Sequence, residues 1–452
     1  MAEKRKTRNF WISGNKGLDT NMIIITIFLI VFGLIMIYSA SYYKCSMTKE
    51  FKYDSMYFLK KQAGMAVLGI AAMLTVSSIN YHFWKQKWVV VLAGVLSVLL
   101  TLVLLTRGFG DKHPLNFSIT ANGATRWVKF GPISFQVAEA VKIAVIVITA
   151  WLISKRGSME FKWKKFTWKH WRRTFVIAAP GIGLAVFLGI ISNNMSSAII
   201  IAIIGVLMYF AWHPKSAIFY GLGALGVVIG AVLILNLSNQ MQEEKEKAQM
   251  QVIQEVQSAD GGAQQVTPPV QDAESEEKEE GFRMGRIRAW LDPYSYQEDE
   301  SFQSLQALYA IGSGGLIGKG LGNSIQKLGA IPEPYNDFIF AIVCEELGVM
   351  GASLLMLMFI YLLYRIFLIA QKAEDLFGRM LATGIFIHIA LQVVLNIAVV
   401  TGSMPNTGVT LPFISYGGTA TAFLLVEIGM ALSVGKWSAL RREERIRMKQ
   451  LR

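Results

Sequence analysis

The chain has 452 residues, of which 53% are hydrophobic and 17% charged, with a formal net charge of +13. Soluble chains carry about a quarter charged residues, so disorder and an ordinary cytosolic enzyme both fit this balance poorly. The two cysteines, Cys45 and Cys344, make neither a disulfide framework nor a Cys-rich metal site.

The apolar content gathers in uncharged runs of roughly 18 to 24 residues, the length that crosses about 30 Å of hydrocarbon. In chain order the predicted spans are 22–41, 62–79, 88–106, 136–154, 174–191, 195–212, 216–237, 338–369, 380–401 and 416–435. The eighth is long enough to be tilted, or broken near Gly348 and Gly351. The predicted fold is all-α, a polytopic integral membrane bundle of ten transmembrane helices with a large extracellular loop between helices 7 and 8. The first run starts near Met22, is long enough to span and lacks an Ala-x-Ala site, so no cleavable signal peptide is expected.

An even number of spans puts both termini on one side. Five Lys or Arg occupy 1–21, eight occupy 155–173 and seven occupy 436–452, and the positive-inside rule makes that side cytoplasmic. The expected organisation is a cytoplasmic tail 1–21, helices 1–7 in 22–237, an extracellular loop 238–337, helices 8–10 in 338–435, and a basic cytoplasmic tail 436–452. Cys45 falls in the first outer loop of this scheme. Residues 241–280 hold eleven Asp or Glu against three Lys or Arg, with Gly261-Gly262 and Pro268-Pro269, and read as a flexible acidic spacer. Residues 160–173 interleave aromatics with cations. They join two spans, and Trp favours the headgroup level, so they read as a membrane-interface helix rather than a nucleic-acid site. No internal repeat of the kind that builds inverted-repeat transporters is visible.

Three outer segments are left for chemistry. The first is Asn122-Gly-Ala-Thr-Arg-Trp-Val-Lys-Phe-Gly-Pro132, leading to Gln136, Glu139 and Lys142. Glu139 and Lys142 share a helix face and can pair, as a structural or a functional ion pair. Arg126 and Trp127 suit an anionic lipid headgroup, or simple interfacial anchoring. The second runs from Arg283, Arg286 and Arg288 through Trp290-Leu-Asp-Pro293, Gln303 and Gln306 to the glycine-rich 311–322 and on to Asp337-Phe-Ile-Phe340. Its glycines let backbone approach a ligand or turn sharply, without Walker spacing or Rossmann context. Asp337 stands where the loop enters the eighth span, as a helix cap or as a partly desolvated functional carboxylate. The third is 401–418, whose prolines and glycines forbid a continuous helix, so it must satisfy its backbone against protein or a cavity. Glu345, Glu346, His388 and Glu427 in or near spans read as an internal polar network rather than catalysts.

These segments carry a resemblance. Gly123-Ala-Thr-Arg-Trp-Val with Gln136-x-x-Glu139-x-x-Lys142 is the first group. The second is Gly320-x-Gly-x-Ser324-x-Gln-Lys327-Leu followed by Pro332-Glu333, Asp337-Phe-Ile-Phe-Ala and Glu345-Glu346-x-Gly. The third is Pro405-x-Thr-Gly-x-x-Leu-Pro-Phe-Ile-Ser-Tyr416-Gly-Gly418. Together they resemble the SEDS family (shape, elongation, division and sporulation) along the whole chain. Thr410 before Leu411-Pro412, with Tyr38-Ser-Ala-Ser41, is closer to its FtsW/SpoVE branch than to RodA. The chain departs from the family at Ser192-Asn-Asn-Met-Ser-Ser197, where an acidic residue is usual, and at Gln136-Val, which lacks the usual proline.

The resemblance implies a bacterial peptidoglycan glycosyltransferase of the cytoplasmic membrane that polymerises lipid II on the outer face, with a class B penicillin-binding protein as partner. It also implies that Asp337 matches the essential aspartate and that a divalent cation, Mg or Mn, supports activity, the metal site being unknown. Chain growth needs a sugar hydroxyl to attack an anomeric carbon that bears lipid pyrophosphate. A carboxylate can take the hydroxyl proton, and cations must stabilise the departing pyrophosphate. Asp337 is the expected base. Arg126, Trp127, Lys129, Gln303, Ser324, Lys327, Glu333 and Tyr416 are expected to bind substrate, and Glu139, Lys142, Glu345 and Glu346 to form the structural polar network. The rival classes are a lipid II flippase and a non-catalytic division scaffold.

Overall fold

A computed structural model describes residues 17–109, 116–121, 124–130, 133–156, 168–192, 194–212, 290–293, 302–329 and 331–450. The predicted seventh span 216–237, the acidic insertion 241–280, Arg283, Arg286, Arg288 and most of 160–173 lie outside the described residues.

The chain is mostly helical. Its helices are α1 (Thr20–Met47), α2 (Tyr57–Ser78), α3 (Lys87–Val103), α4 (Val137–Arg156), α5 (Trp168–Ser192), α6 (Met195–Trp212), α7 (Phe302–Gly314), α8 (Ile339–Lys372), α9 (Leu376–Val400) and α10 (Gly418–Gln450). Seven of these, α1 to α4 and α8 to α10, are long and apolar enough to cross a membrane. The apolar parts of α5 and α6 are shorter, Val176–Ser192 and Ser196–Trp212. A helix that is apolar all round has to be buried in protein or in lipid. On α3 the residues Val91, Leu92, Val95, Leu96 and Leu99 are exposed while Ser97 and Thr101 face inward, so its apolar surface is left for lipid.

Polar residues end these helices where the sequence changes character. Asp19 accepts from Met22 N at 3.0 Å to cap α1, and Asp375 accepts from Gly378 N at 3.0 Å to cap α9. In the departure at Ser192–Ser197, Asn194 is buried, accepts from Ser197 N at 3.3 Å and donates to Ser197 Oγ at 2.9 Å. The short polar side chain therefore does the work of a cap.

Two expectations are corrected. An all-α fold overlooks a three-stranded antiparallel sheet, β1 (Ser118–Ala121), β2 (Ala124–Phe130) and β3 (Ile133–Gln136), in the order β1-β2-β3. Its residues alternate and are rich in β-branched and aromatic types, a period-2 signal hidden between long apolar runs. Cys45 is not in an outer loop: it lies inside α1 and is fully buried, because α1 extends to Met47. At the other end of the chain α10 continues without a break through the basic segment to Gln450, with Lys436 and Ser438 buried.

Candidate active site

The glycine-rich run closes on a break in α8. Gly348 (φ 65°, ψ −169°) breaks α8 and interrupts the helical hydrogen-bond ladder there. The loop after α7 takes the backbone groups around the break. Lys319 N donates to Glu345 O at 2.9 Å, Gly320 N to Glu346 O at 2.9 Å, and Val349 N to Gly315 O at 3.0 Å. A Cβ on Gly348 would stand 2.4 Å from Gly318 N, and one on Gly318 2.3 Å from Glu346 O, so only glycine allows this approach.

Beside the break two carboxylates are fully enclosed. Glu346 accepts from Ser39 Oγ of α1 at 2.7 Å and from Lys327 Nζ at 2.7 Å. Glu345 accepts from Lys319 Nζ at 2.7 Å, from Ile325 N at 3.0 Å and from Ser324 Oγ. The expected polar network at Glu345 and Glu346 is thus built from loop residues. Lys327 and Ser324, expected at the substrate, are buried in it, because a buried carboxylate requires a cation and donors around it.

The second and third segments meet around Asp337. The cap position of α8 is taken by Phe338, so Asp337 stands one residue outside it and is half-buried. Asn396 of α9 uses its Nδ2 twice, donating to Asp337 O and to Val409 O, both at 2.7 Å. This ties the base of the Asp337 loop to the 401–417 loop. A Cβ on Gly408 would lie 3.7 Å from Asp337 Oδ2, so the carboxylate faces that loop. Gln303 of α7 accepts from Asn406 Nδ2 at 3.2 Å, and Trp290 Nε1 donates to Gly402 O at 2.8 Å. The loop also presses on α1, where a Cβ on Gly33 would stand 2.3 Å from Phe413 O.

An aromatic cluster lies alongside. Phe58 of α2 is 4.3 Å from the Tyr335 ring and 4.7 Å from the Tyr416 ring, and Tyr416 N donates to Tyr335 O at 2.8 Å. Burial drives the Tyr335 phenol well above its ordinary value and pushes Tyr416 up to about 12. Both stay protonated at neutral pH. Glu333 is exposed, takes a left-handed backbone (φ 50°), accepts from Asn336 Nδ2 at 2.7 Å and lies 3.7 Å from Lys44 Nζ. Lys44, at the end of α1, was missed by sequence reasoning. Its only signal was a cation placed just beyond the first span.

The first segment forms the sheet. Thr125 and Trp127 have partners in β1 but Arg126 between them does not, so Arg126 sits at a bulge, a device that re-aims a side chain. Trp127 pairs with Gln136 and Lys129 with Ser134, and Lys129 is exposed. Phe135 of β3 lies 6.1 Å from Phe423 of α10, which brings the sheet to the end of the bundle that holds Tyr416. Glu139 and Lys142 form the expected pair at 2.7 Å, both buried. His388 Nδ1 lies 2.8 Å from Glu427 inside the bundle. Among the described residues no three His, Cys, Asp or Glu side chains come together to hold a metal.

The fold and this site define a polytopic membrane protein whose loops converge on one carboxylate at one end of an apolar bundle. The family described as cell cycle protein, FtsW/RodA/SpoVE, matches residues 19–267 and 277–439, and the chain belongs to it. It is 34% identical over 422 residues to stage V sporulation protein E of Bacillus subtilis (strain 168), covering 93% of this chain and 97% of that one. It is 32% identical over 419 residues to the probable peptidoglycan glycosyltransferase FtsW of Geobacter sp. (strain M18), with 93% and 97% covered. Both relatives place it in the FtsW/SpoVE branch of the SEDS family. Two solved folds are similar at 19% identity. One is a chain of a peptidoglycan synthase complex that coordinates polymerization and crosslinking (TM-score 0.66, 94% and 99% covered). The other is the Rod shape determining protein RodA of Thermus thermophilus (TM-score 0.57, 93% and 97% covered).

Proposed function

We propose that this protein is a peptidoglycan glycosyltransferase that polymerises lipid II at the outer face of the bacterial cytoplasmic membrane. It does so as a ten-span bundle with both termini inside and the 238–337 loop outside. The observation that carries this is the half-buried Asp337, whose backbone carbonyl accepts from Asn396 and which stands where the second and third segments meet.

Asp337 takes the proton of the attacking sugar hydroxyl as a new C–O bond forms at the anomeric carbon. The bond from that carbon to the lipid pyrophosphate breaks, and the pyrophosphate leaves with the electron pair. Lys129 and Arg126 on the sheet and Lys44 at the end of α1 supply positive charge for it. Lys327 is left in its structural pair with Glu346. A divalent cation neutralises developing phosphate charge when bound. Such ions are usually held by one or two carboxylates together with substrate phosphates, and the exposed Glu333 would be the carboxylate to hold one, leaving Asp337 free as base. A class B penicillin-binding protein is the proposed partner, seated against the bundle and the outer loops.

The test is purified protein with fluorescent lipid II, with and without that partner, for wild type and Asp337→Asn. The amide keeps the size of the side chain but cannot take a proton at neutral pH, so polymer should fall by about 10² to 10⁴ while folding and partner binding persist. Substantial polymer from well-folded Asp337→Asn would remove the base assignment. Lipid translocation by a wild type that makes no polymer would favour the flippase reading.

A further inference from the structure

At the end of the bundle opposite Asp337, a cavity of about 380 Å³ opens between the start of α1, the last turns of α8 and the continuation of α10. Its wall carries three cations, Arg365, Lys372 and Arg442, against one carboxylate, Asp19. That carboxylate is already committed: Oδ1 accepts from Met22 N at 3.0 Å and Oδ2 from Arg365 Nη2 at 2.6 Å. Arg365 Nε is buried and has no hydrogen-bond partner. Arg442 donates to Lys372 O at 3.4 Å, and neither it nor Lys372 has an ion pair among the described residues. Ser438 adds a hydroxyl. Lys372 and Arg442 are exposed at its rim, and with Asp19 already taken by Arg365 the recess offers a net positive charge to an anion from outside.

The surface that leads into the cavity says which anion. Four and eight residues before Arg365, on the same stripe of α8, stand Tyr361 and Leu357, 40% and 60% exposed, with Tyr364 and Phe367 exposed beside them. At 1.5 Å per residue this stripe rises about 12 Å, close to half of a hydrocarbon core of about 30 Å. A molecule with its phosphate beside Lys372 and Arg442 would therefore lay its acyl chains along one leaflet's depth of apolar helix. A soluble anion would gain nothing from that stripe. Basic pockets between helices on the cytoplasmic side are suited to anionic headgroups.

We propose that this cavity binds the phosphate of an anionic phospholipid of the inner leaflet, with Lys372 and Arg442 as its contacts. The proposal rests on reading the helices as membrane spans with this end cytoplasmic. Its test measures binding alone, so it stands apart from the test of polymerisation.

Full-length protein in detergent is examined by native mass spectrometry and by melting temperature with phosphatidylglycerol, with phosphatidylcholine and with inorganic phosphate. Wild type should retain phosphatidylglycerol selectively and melt higher with it. The double variant Lys372→Gln/Arg442→Gln leaves the Arg365–Asp19 bond in place and should weaken that retention roughly 20- to 30-fold, at about fivefold per surface cation. The control Arg447→Gln/Lys449→Gln removes the same charge from the exposed end of α10 and should bind like wild type. Equal retention of both lipids by wild type would overturn the proposal whatever the variants do. Equal weakening in the control would reduce the effect to diffuse charge and overturn the site. Displacement of the lipid by millimolar phosphate would make it a free-anion site and overturn the lipid assignment.

Discussion

Asn396 holds the backbone carbonyl of Asp337 with one hydrogen of its side-chain amide and that of Val409 with the other, both at 2.7 Å. One buried residue of α9 thus sets the spacing between the loop that carries the candidate base and the loop that faces it. Asn396→Leu removes both donations, and the buried one to Val409 O alone is worth about 1–3 kcal/mol. Glycan polymerisation should fall by more than tenfold with substrate concentration saturating, because Asp337 loses its position rather than its charge. Activity equal to wild type in a folded Asn396→Leu would show that the carboxylate is positioned by other contacts.

Lys327 separates a structural from a substrate role. Its ammonium lies between Glu346 and Ser39, away from solvent. Lys327→Met leaves Glu346 buried without its cation and should destabilise the protein by about 3–5 kcal/mol. Lys327→Met/Glu346→Leu should recover part of that stability. If Lys327 instead served the pyrophosphate, the single variant would melt like wild type and show only a raised KM for lipid II.

Asp375 gives a pH dependence at the end of the bundle opposite Asp337. It accepts from Tyr81 Oη at 3.0 Å and Lys85 Nζ at 2.9 Å while capping α9. Burial raises its carboxyl, but the hydrogen bonds from Lys85 and Gly378 outweigh that and hold it below its ordinary range. A carboxyl depressed in the folded state stabilises it above the ordinary carboxylate range and loses that contribution as pH falls through the folded value. Asp375→Ala should lower stability at neutral pH by about 1–2 kcal/mol. The gap from wild type should shrink below about pH 4, as read from melting curves across pH.

Sidedness is open to thiol labelling. Cys45 and Cys344 are both buried, so the natural cysteines should stay silent. Glu50→Cys, exposed between α1 and α2, should react with an impermeant reagent in intact cells that lack an outer membrane. Lys449→Cys, exposed near the end of α10, should react only after permeabilisation. The reverse pattern would turn the site to the cytoplasm and contradict polymerisation outside.

What the sequence determined by itself was whatever depends on neighbours along the chain. Long uncharged runs have to be helices in lipid because no water can pair their backbone, so α1 to α6 and α8 to α10 lie close to where hydropathy put them. The break at Gly348 and the Glu139–Lys142 pair follow from one residue type and one helical spacing. Position alone left Asp337 as either a helix cap or a functional carboxylate, and only the family resemblance singled it out as the expected base. Partner choice across long separations belonged to tertiary structure alone. Lys327 and Glu346 are 19 residues apart, Ser39 and Glu346 are 307 apart, and Asn396 and Asp337 are 59 apart. No periodicity encodes such pairs, because they form only when packing removes water and leaves each buried polar group to the few partners brought beside it. The same condition decided that a glycine-rich loop would close on a broken helix.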